Sequence, residues 1–497
     1  MLREDAKIVG GTNVNLGQML EESCRRYPDN VAVIHEKTRL TYGELNRNVN
    51  ALALHLQTLG IGKGDKVALM LGNCPEFVIS YFAAVRIGAV AVTLNAMSTP
   101  YELRHLLCDS DAKVFITAAA LAKRFEEIRP DVPLCRHLLI TGGYGNSGAF
   151  QDALAANAGN PVCPDVVEED SAAMIYTSGL TGKPLGAVLT HGNLLNQSKL
   201  LPLFDATDRE RCLAIIPFFH SFGAAANMLN PLRIGGSMVL MERFTLDGIF
   251  GAIQNEKVTY VAAVPRLFLG MVFHDKAGSY DIRSLRFCIT GGSAMAPEFI
   301  PLFREKFGVV LVEGYGLTEA APICSVSRLQ MPVKPGSIGV TIPGVEAAVV
   351  DDRGAELPRG EVGELVIRGE NVMQGYYKAA DMTAQVIRDG WLHTGDLARI
   401  DGDGYIFLTG RKKRMVITSG FNVYPREVEI VLEMHPAVAR ARIDSKPDLM
   451  RGEIVKAFIV PKGGAPADEK DIMRHCRTYL SSYKIPREIE FVAKIED

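Results

Sequence analysis

Apolar residues recur at helical spacing and in short β-branched runs, and the two patterns alternate through roughly the first 400 residues. The stretch 45–59 has apolar residues at helical spacing and stops at Gly60. A strand pattern follows at 66–71, then a helix pattern at 75–86 and a second strand pattern at 88–94. This alternation predicts mostly parallel sheets covered by helices, which is an α/β fold.

The pattern changes near residue 335, where Gly-rich turns separate short alternating strands at 345–350, 363–368 and 404–408. Such strands predict an antiparallel, barrel-like region. The charged turn GRKKR at 410–414 precedes a last segment of about 80 residues, whose pattern is strand, helix, strand, strand, helix, strand. We therefore predict a domain 1–410 with its β-rich part at about 335–410, a hinge 411–414, and a small α+β domain 415–497.

Composition excludes several classes of function. A chain of 497 residues with 47% hydrophobic and 22% charged residues is typical of a globular enzyme of more than one domain. The net charge of −3 provides no basic surface for nucleic acid. The nine cysteines are dispersed without a C-x-x-C pair, which argues against a zinc or dithiol site.

The chain shows no export or membrane signal. Its first residues lack the apolar core of a secretory signal, and the apolar stretch 81–96 is interrupted by Arg86 and is too short to span a bilayer. These features predict a cytoplasmic protein with reduced thiols and without a transmembrane segment.

The segment YTSGLTGKPLG at 176–186 is the strongest chemical signal. Glycines let the backbone approach an anion, and successive N–H groups form a nest for phosphate. It is not a Walker A loop, because Pro184 follows the lysine where Ser or Thr is needed. A Gly-rich surface turn is the alternative interpretation. The predicted phosphate-binding residues are Thr177, Ser178, Gly179, Thr181, Gly182 and Lys183.

Four further motifs follow in order: PFFHSFG at 217–223, EGYGLTE at 313–319, WLHTGD at 391–396 and GRKKRMVITSGFNVYPREVE at 410–429. Together with the loop at 176–186 they resemble the adenylate-forming superfamily, specifically its acyl-CoA synthetases, which are fatty-acid and aryl-acid CoA ligases. The resemblance implies two mostly parallel helix-covered sheets, a distorted antiparallel β-barrel and a small mobile C-terminal α+β domain. It also implies ATP and CoA as reactants and Mg²⁺ as cofactor.

In EGYGLTE, the resemblance implies that the ring of Tyr315 packs on adenine, with Gly314 and Gly316 beside the nucleotide. It assigns catalytic roles to Thr318, whose hydroxyl meets the α-phosphate, and to Glu319, whose carboxylate holds Mg²⁺. A buried aromatic and a surface charge are the alternative interpretations of Tyr315 and Glu319.

Two residues near the predicted hinge are implied to contact the nucleotide. Asp396, expected in a tight turn, would accept the ribose hydroxyls, as acidic residues do in other nucleotide sites. Arg411 would be a second contact to ribose or phosphate. A turn or helix-capping role is the alternative for Asp396, while Asp401 and Asp403 are interpreted as a hairpin turn rather than a calcium loop.

The acid-binding residues implied by the resemblance are His220, Phe222, Gly291 and Gly316. His220 lies among aromatics, so a core histidine is the alternative, and we assign it to substrate binding rather than to catalysis. In the stretch GGSAMAPE at 291–298, Gly292 and Ser293 match positions beside adenine. The resemblance places Gly420 and Phe421 at the CoA site, where glycine suits close approach of the pantetheine arm.

The chain departs from the family pattern in three places. Leu180 and Leu185 replace a threonine and a lysine of the phosphate loop, and Arg414 replaces an acidic hinge residue. The family's terminal Gly-Lys segment has no counterpart before Asp497. Because a cation aimed at developing charge is worth roughly 10²–10³ in rate, we expect slow adenylation with thioester formation retained.

The sequence therefore predicts ATP-dependent activation of a hydrophobic acid and its transfer to CoA, with a medium- or long-chain fatty acid favoured. The alternatives are an aryl-acid CoA ligase, an acyl-AMP ligase that loads a carrier protein, and a degenerate adenylate-binding protein. Predicted partners are the acid, ATP and CoA, without nucleic acid. Peripheral membrane contact and the oligomeric state, including a homodimer, stay open.

Overall fold

The computed structural model describes residues 14–142, 150–156, 158–178, 182–412, 415–448, 451–463 and 468–495. Its strands within these ranges are β1 Val31–His35, β2 Thr38–Thr41, β3 Lys66–Met70, β4 Val90–Thr93, β5 Ala112–Ala118, β6 His137–Thr141, β7 Ser171–Ser178, β8 Pro184–Thr190, β9 Arg211–Ala214, β10 Ser237–Leu240, β11 Tyr260–Ala263, β12 Phe287–Thr290, β13 Val310–Gly316, β14 Ile323–Val326, β15 Val340–Thr341, β16 Val345–Val350, β17 Gly363–Gly369, β18 Gly375–Tyr376, β19 Ile387–Arg388, β20 Trp391–Ile400, β21 Ile406–Arg411, β22 Val416–Thr418, β23 Phe421–Val423, β24 Val438–Asp448, β25 Gly452–Pro461 and β26 Glu488–Phe491.

The helices in the same ranges are α1 Leu16–Arg26, α2 Tyr42–Thr58, α3 Pro75–Arg86, α4 Pro100–Ser110, α5 Ala119–Ile128, α6 Phe150–Ala156, α7 His191–Gln197, α8 Ser221–Ala224, α9 Asn230–Ile234, α10 Leu246–Glu256, α11 Pro265–Phe273, α12 Phe299–Phe307, α13 Ala380–Val386, α14 Pro425–Glu433 and α15 Glu469–Tyr479. None of these described helices is both long and apolar enough to cross a membrane.

Local sequence explains where several helices begin. Thr41 and Glu44 form a capping box at α2, in which Glu44 Oε2 accepts a hydrogen bond from Thr41 N at 2.8 Å. Thr99 and Glu102 form a second capping box at α4, in which Thr99 N donates to Glu102 Oε2 at 2.9 Å. Reciprocal bonds of this kind satisfy N–H groups that the first helical turn leaves unpaired.

Two helix-covered sheets form most of the N-terminal part. Over the described residues, one has nine strands in the order β15-β14-β13-β12-β11-β9-β10-β1-β2, and the other has seven in the order β18-β8-β7-β4-β3-β5-β6. Their central strands pair in parallel, while β14, β15, β8 and β18 pair antiparallel at the edges. The predicted α/β fold with mostly parallel sheets is confirmed.

The region beyond residue 335 forms the predicted antiparallel sheet, in which β16, β17, β20 and β19 lie in order and β21 pairs with β20. The C-terminal part has its own sheet, β23-β22-β25-β24 with β26 beside β25, and its own hydrophobic core. It begins with a hairpin of β22 and β23, where a single strand was predicted. Ser419 and Gly420 both have positive φ, 53° and 85°, which suits a tight turn that reverses the chain.

Candidate active site

A cavity of about 660 Å³ lies where the carboxyl ends of β12 and β13 meet β20, β21 and the C-terminal part. The carboxyl edge of a parallel sheet is the usual ligand position in α/β folds. Among the described residues, fourteen that were predicted from sequence line this cavity: Thr177, His220, Phe222, Gly291, Gly292, Ser293, Gly314, Tyr315, Gly316, Thr318, Glu319, Asp396, Arg411 and Gly420.

The other predicted residues lie elsewhere. Lys183 is exposed, and Gly182 packs against α14. Phe421 stacks on Tyr483, with ring centroids 4.7 Å apart, and faces Phe219 at 6.5 Å. Ser178 ends β7. Four positions fall outside the described residues, namely Gly179, Leu180, Thr181 and Arg414.

The predicted phosphate loop joins two antiparallel strands, β7 and β8, in which Thr177 pairs with Leu185. Both of these residues reach the cavity. The strand before the loop is anchored by Tyr176, whose hydroxyl donates to Asp109 Oδ2 at 2.7 Å. The strands on either side of residues 179–181 are therefore held in place at the cavity, and Leu185 presents an apolar side chain there.

Tyr315, Asp396 and Arg411 form a connected group on one side of the cavity. The Tyr315 hydroxyl donates to Asp396 Oδ2 at 2.6 Å, and Arg411 Nε lies 3.5 Å from Asp396 Oδ1. Burial raises the pKa of Asp396 above its ordinary value, although the Tyr315 hydrogen bond opposes this. The three residues bring together β13, β20 and β21.

The expectation that Asp396 lies in a tight turn is wrong. Asp396 is within β20, where its register partner is Arg411 on β21. The strand continues through the motif because Asp396 pairs with Arg411 on β21, although the register between β20 and β17 shifts opposite residues 394–396. Pairing with β21 thus outweighs the turn preference of Gly-Asp.

Thr318 and Glu319 lie in a short 3₁₀ turn immediately after β13. Ser221 Oγ is 3.3 Å from Thr318 Oγ1, and the Tyr376 hydroxyl donates to Glu319 Oε1 at 2.7 Å. No group of three or more His, Cys, Asp or Glu side chains that could hold a metal occurs among the described residues. The Glu319 carboxylate nevertheless fits Mg²⁺, which binds through one or two carboxylates and substrate phosphates.

His220 caps α8, and its Nδ1 accepts a hydrogen bond from Phe222 N at 3.2 Å. Burial lowers the pKa of His220 to about 4, so its imidazole is neutral near pH 7. Phe222 faces Gly291, where an added Cβ would lie 3.5 Å from the phenyl ring. The wall around them is apolar and includes Leu200, Leu201, Phe204, Ala226 and Ile289.

Glu313 and Tyr376 are among the polar cavity residues that sequence reasoning missed. Glu313 Oε1 accepts a hydrogen bond from Met295 N at 3.2 Å, while its buried Oε2 has no partner among the described residues. Burial raises the pKa of Glu313 to about 7. The available signal was a carboxylate inside the apolar run VLVEGYG, two residues before Tyr315 on the same strand face.

The hairpin turn of the C-terminal part lies at the edge of the cavity. Gly420 lines it, and a Cβ added there would be 2.5 Å from Val264 Cγ1. The neighbouring Ser419 Oγ accepts a hydrogen bond from Arg266 Nη1 at 3.3 Å. Backbone of the C-terminal part thus approaches Val264 as closely as a residue without a side chain allows.

Comparisons with known proteins agree with this arrangement. The family model for AMP-binding enzymes matches residues 20–377, and the model for their C-terminal domain matches residues 427–497. A long-chain-fatty-acid–CoA ligase of Bacillus subtilis is 33% identical over 96% of this chain and 91% of its own length. A feruloyl-CoA synthase of an Amycolatopsis species is 36% identical over 97% of this chain and 96% of its own length.

Two solved structures are informative. An o-succinylbenzoate CoA synthetase of Bacillus subtilis, bound with its product analogue OSB-NCoA, is 26% identical and superposes with a TM-score of 0.87 over 97% of this chain and 95% of its own. ATP-bound MatB of Rhodopseudomonas palustris is 28% identical, with a TM-score of 0.74 over 97% of this chain and 96% of its own. The chain belongs to the AMP-binding enzyme family, among the acyl-CoA synthetases of the adenylate-forming superfamily.

Proposed function

We propose that this protein activates a hydrophobic carboxylic acid with ATP and transfers the acyl group to CoA, releasing AMP and pyrophosphate. A medium- or long-chain fatty acid is the preferred substrate class. The observation that carries this proposal is the single cavity of about 660 Å³, which brings together a polar group around Asp396, an apolar wall around Phe222 and Gly420 of the C-terminal part.

The polar end suits an adenine nucleotide. We assign the ring of Tyr315 to adenine, with Gly314, Gly316, Gly292 and Ser293 around it. Glu313 lies on the strand face of Tyr315 with one unpaired carboxylate oxygen, so we assign it to the adenine amino group. Asp396 and Arg411 would hold the ribose.

The phosphates would extend towards Thr318 and the loop between β7 and β8. Backbone N–H groups of that loop, Thr177 and Lys183 would bind the β- and γ-phosphates. Glu319 would hold Mg²⁺, which neutralises phosphate charge when bound. Leu185 supplies no charge there, which supports weaker phosphate binding and slower adenylation than in a chain with lysine at this position.

The chemistry needs positioning and charge neutralisation rather than covalent help from the protein. A carboxylate oxygen of the acid attacks the α-phosphorus, the bond to pyrophosphate breaks, and an acyl-adenylate forms. The CoA thiol then loses its proton, the thiolate attacks the acyl carbon, and AMP leaves. His220 is neutral and buried, so we assign it to packing against the acid.

The docked C-terminal part supports the second step. Gly420 is at the cavity edge, and the whole chain superposes better on the relative bound to a CoA product analogue than on the ATP-bound one, 0.87 against 0.74. We propose that 415–497 is a separate domain that rotates about 411–414 relative to 1–410, so that one site performs two reactions in turn.

An aryl-acid substrate is the second candidate, because the feruloyl-CoA synthase shares 36% of its residues with this chain over nearly the full length. The apolar wall at Leu201 and Phe204 would contact either a ring or an alkyl chain. Loading of a carrier protein and adenylate binding without turnover are outcomes that the experiments below would reveal.

The first test is a screen of AMP and CoA-thioester formation with saturated acids of graded length, benzoates and ferulate. We expect turnover with medium- or long-chain acids and little with acetate, because the apolar wall favours buried methylenes by about 0.8 kcal/mol each. Turnover confined to ring acids would replace the fatty-acid assignment, and binding of ATP without any thioester would reject the ligase.

Leu185→Lys tests the phosphate loop. A lysine on the partner of Thr177 would place a cation beside the phosphates, so acid-dependent pyrophosphate exchange should rise roughly 10-fold or more. Leu185→Met, which keeps the volume without the charge, should leave exchange unchanged. An unaltered rate in a folded Leu185→Lys protein would show that the phosphates do not lie here.

Gly420→Ala tests the CoA side. The added Cβ would meet Val264 at a residue with φ of 85°, so transfer of a supplied acyl-adenylate to CoA should fall roughly tenfold while pyrophosphate exchange persists. Gly402→Ala is the matched control, since its Cβ meets nothing within 4 Å. A proportional loss of both half-reactions would contradict this role for Gly420.

Glu313→Gln tests the buried carboxyl without any ligand. The folded protein holds this proton up to about pH 7, whereas the unfolded chain releases it near pH 4.5, so charging Glu313 removes stability as pH rises through that window. Gln stays neutral, and the variant should gain on the order of 3 kcal/mol over the parent at pH 8 and almost nothing at pH 4.5. Urea unfolding at both pH values measures this; an equal difference at both would refute it.

A further inference from the structure

A buried cluster of three charged residues joins the C-terminal domain to the N-terminal one. Lys484 Nζ lies 2.8 Å from Glu102 Oε1 and 2.5 Å from Glu427 Oε1. All three residues are at most 8% exposed. Ser481 Oγ also donates to Glu102 Oε2 at 2.6 Å, so both oxygens of the Glu102 carboxylate contact the other domain.

The three residues come from different elements. Glu102 is in the first turn of α4, Glu427 is in the first turn of α14, and Lys484 follows α15. Around them, Thr99 Oγ1 donates to Tyr479 O at 3.3 Å, and the rings of Tyr101 and Tyr479 meet edge to face at 5.2 Å. The start of α4 is therefore a docking surface for the C-terminal domain.

The charges make this contact specific for one arrangement of the domains. Glu427 and Lys484 belong to the same domain, and Glu102 joins them only when that domain is docked. Burial raises the pKa of Glu427. Burial acts in the same direction on Glu102, but the Lys484 ammonium lowers its pKa overall. A buried ammonium has to be paired at close range, so a slightly different docking angle would lose the contact.

Helices α4 and α14, which carry Glu102 and Glu427, also contact residues at the two ends of the predicted phosphate loop. A Cβ added at Gly182 would lie 2.5 Å from Ile430 Cδ1 and 3.2 Å from Arg426 O, so α14 covers the end of this loop. At the other end of α4, Leu106 O and Asp109 Oδ2 accept hydrogen bonds from the Tyr176 hydroxyl at 3.3 and 2.7 Å. Docking at Glu102 and covering of the loop thus occur together.

We propose that Glu102, Lys484 and Glu427 form an ionic latch that holds the C-terminal domain in the thioester-forming arrangement, an inference that rests on the proposed function. With the latch closed, Gly420 is beside the acyl site and α14 packs on Gly182. Opening the latch separates α14 from Gly182. Glu102 and Lys484 are positioning residues, because they act through the placement of Gly420.

Glu102→Gln is the most direct test, since it removes the interdomain charge and leaves the Glu427–Lys484 pair in place. Transfer of a supplied acyl-adenylate to CoA should fall about tenfold, while acid-dependent pyrophosphate exchange is unchanged or rises. Glu44→Gln is the matched control: Glu44 makes the same capping box with Thr41, at 2.8 Å, but contacts no C-terminal residue among those described.

Lys484→Arg and Glu102→Asp keep the charges, so each should retain part of the thioester rate that Glu102→Gln loses. Equal losses in the two half-reactions, no loss in either, or the same loss in Glu44→Gln would overturn the latch.

A measurement without substrates separates the latch from the proposed function. In Glu102→Gln, hydrogen exchange should accelerate at the Ser481 amide and also across α14, which is distant in sequence from the substitution, and Glu44→Gln should show neither change. Acceleration confined to α4 would overturn the latch. A parent protein that forms neither adenylate nor thioester, yet shows the exchange pattern, would reject the ligase and leave the latch standing.

Discussion

The hydrogen bond between the Tyr315 hydroxyl and Asp396, at 2.6 Å, is the contact on which the site depends. It connects the nine-stranded sheet to the antiparallel sheet, because Tyr315 is on β13 and Asp396 on β20. Arg411 adds a third strand through its Asp396 contact at 3.5 Å, and it also approaches Glu453 of the C-terminal domain at 3.9 Å. A shift of any of these strands would change the spacing of the polar groups that face the cavity.

Close backbone packing makes this junction possible. A Cβ added at Gly316 would lie 2.0 Å from Pro322 O, so the turn that carries Thr318 and Glu319 could not fold back against β14 with any larger residue there. Gly291 likewise lets the backbone of β13 pass closely, because a Cβ added there would lie 3.1 Å from Gly314 O. The glycines of the two motifs thus have a structural role before any ligand is considered, since backbone segments need to pass at van der Waals distance.

The C-terminal domain lies at the open side of the cavity. It has an independent hydrophobic core, and its docking contacts are concentrated at α4, at the β7–β8 loop and at Val264. Several of these contacts are ionic, whereas the two large sheets share one continuous apolar cluster. Polar interfaces between domains are typical of domains that change their relative arrangement.

The sequence by itself determined the class of fold, the order of its parts and fourteen residues of the cavity lining. Hydrophobic periodicity specifies helices and strands locally, and residues such as Tyr315, Thr318 and Glu319 stand in one motif, so their proximity follows from the chain. The antiparallel part beyond 335 and the small last domain were also predicted from the change in pattern.

Tertiary structure alone decided the strand position of Asp396, the unpaired oxygen of Glu313 and the meeting of Glu102 with Lys484. Asp396 is part of a strand because β21 pairs with it, and Glu313 is costly to charge because other elements bury it. Glu102 and Lys484 are 382 residues apart, and their contact depends on how two separately folded domains dock. Local sequence patterns carry no information about burial and pairing of this kind, because both are properties of distant parts of the chain brought together.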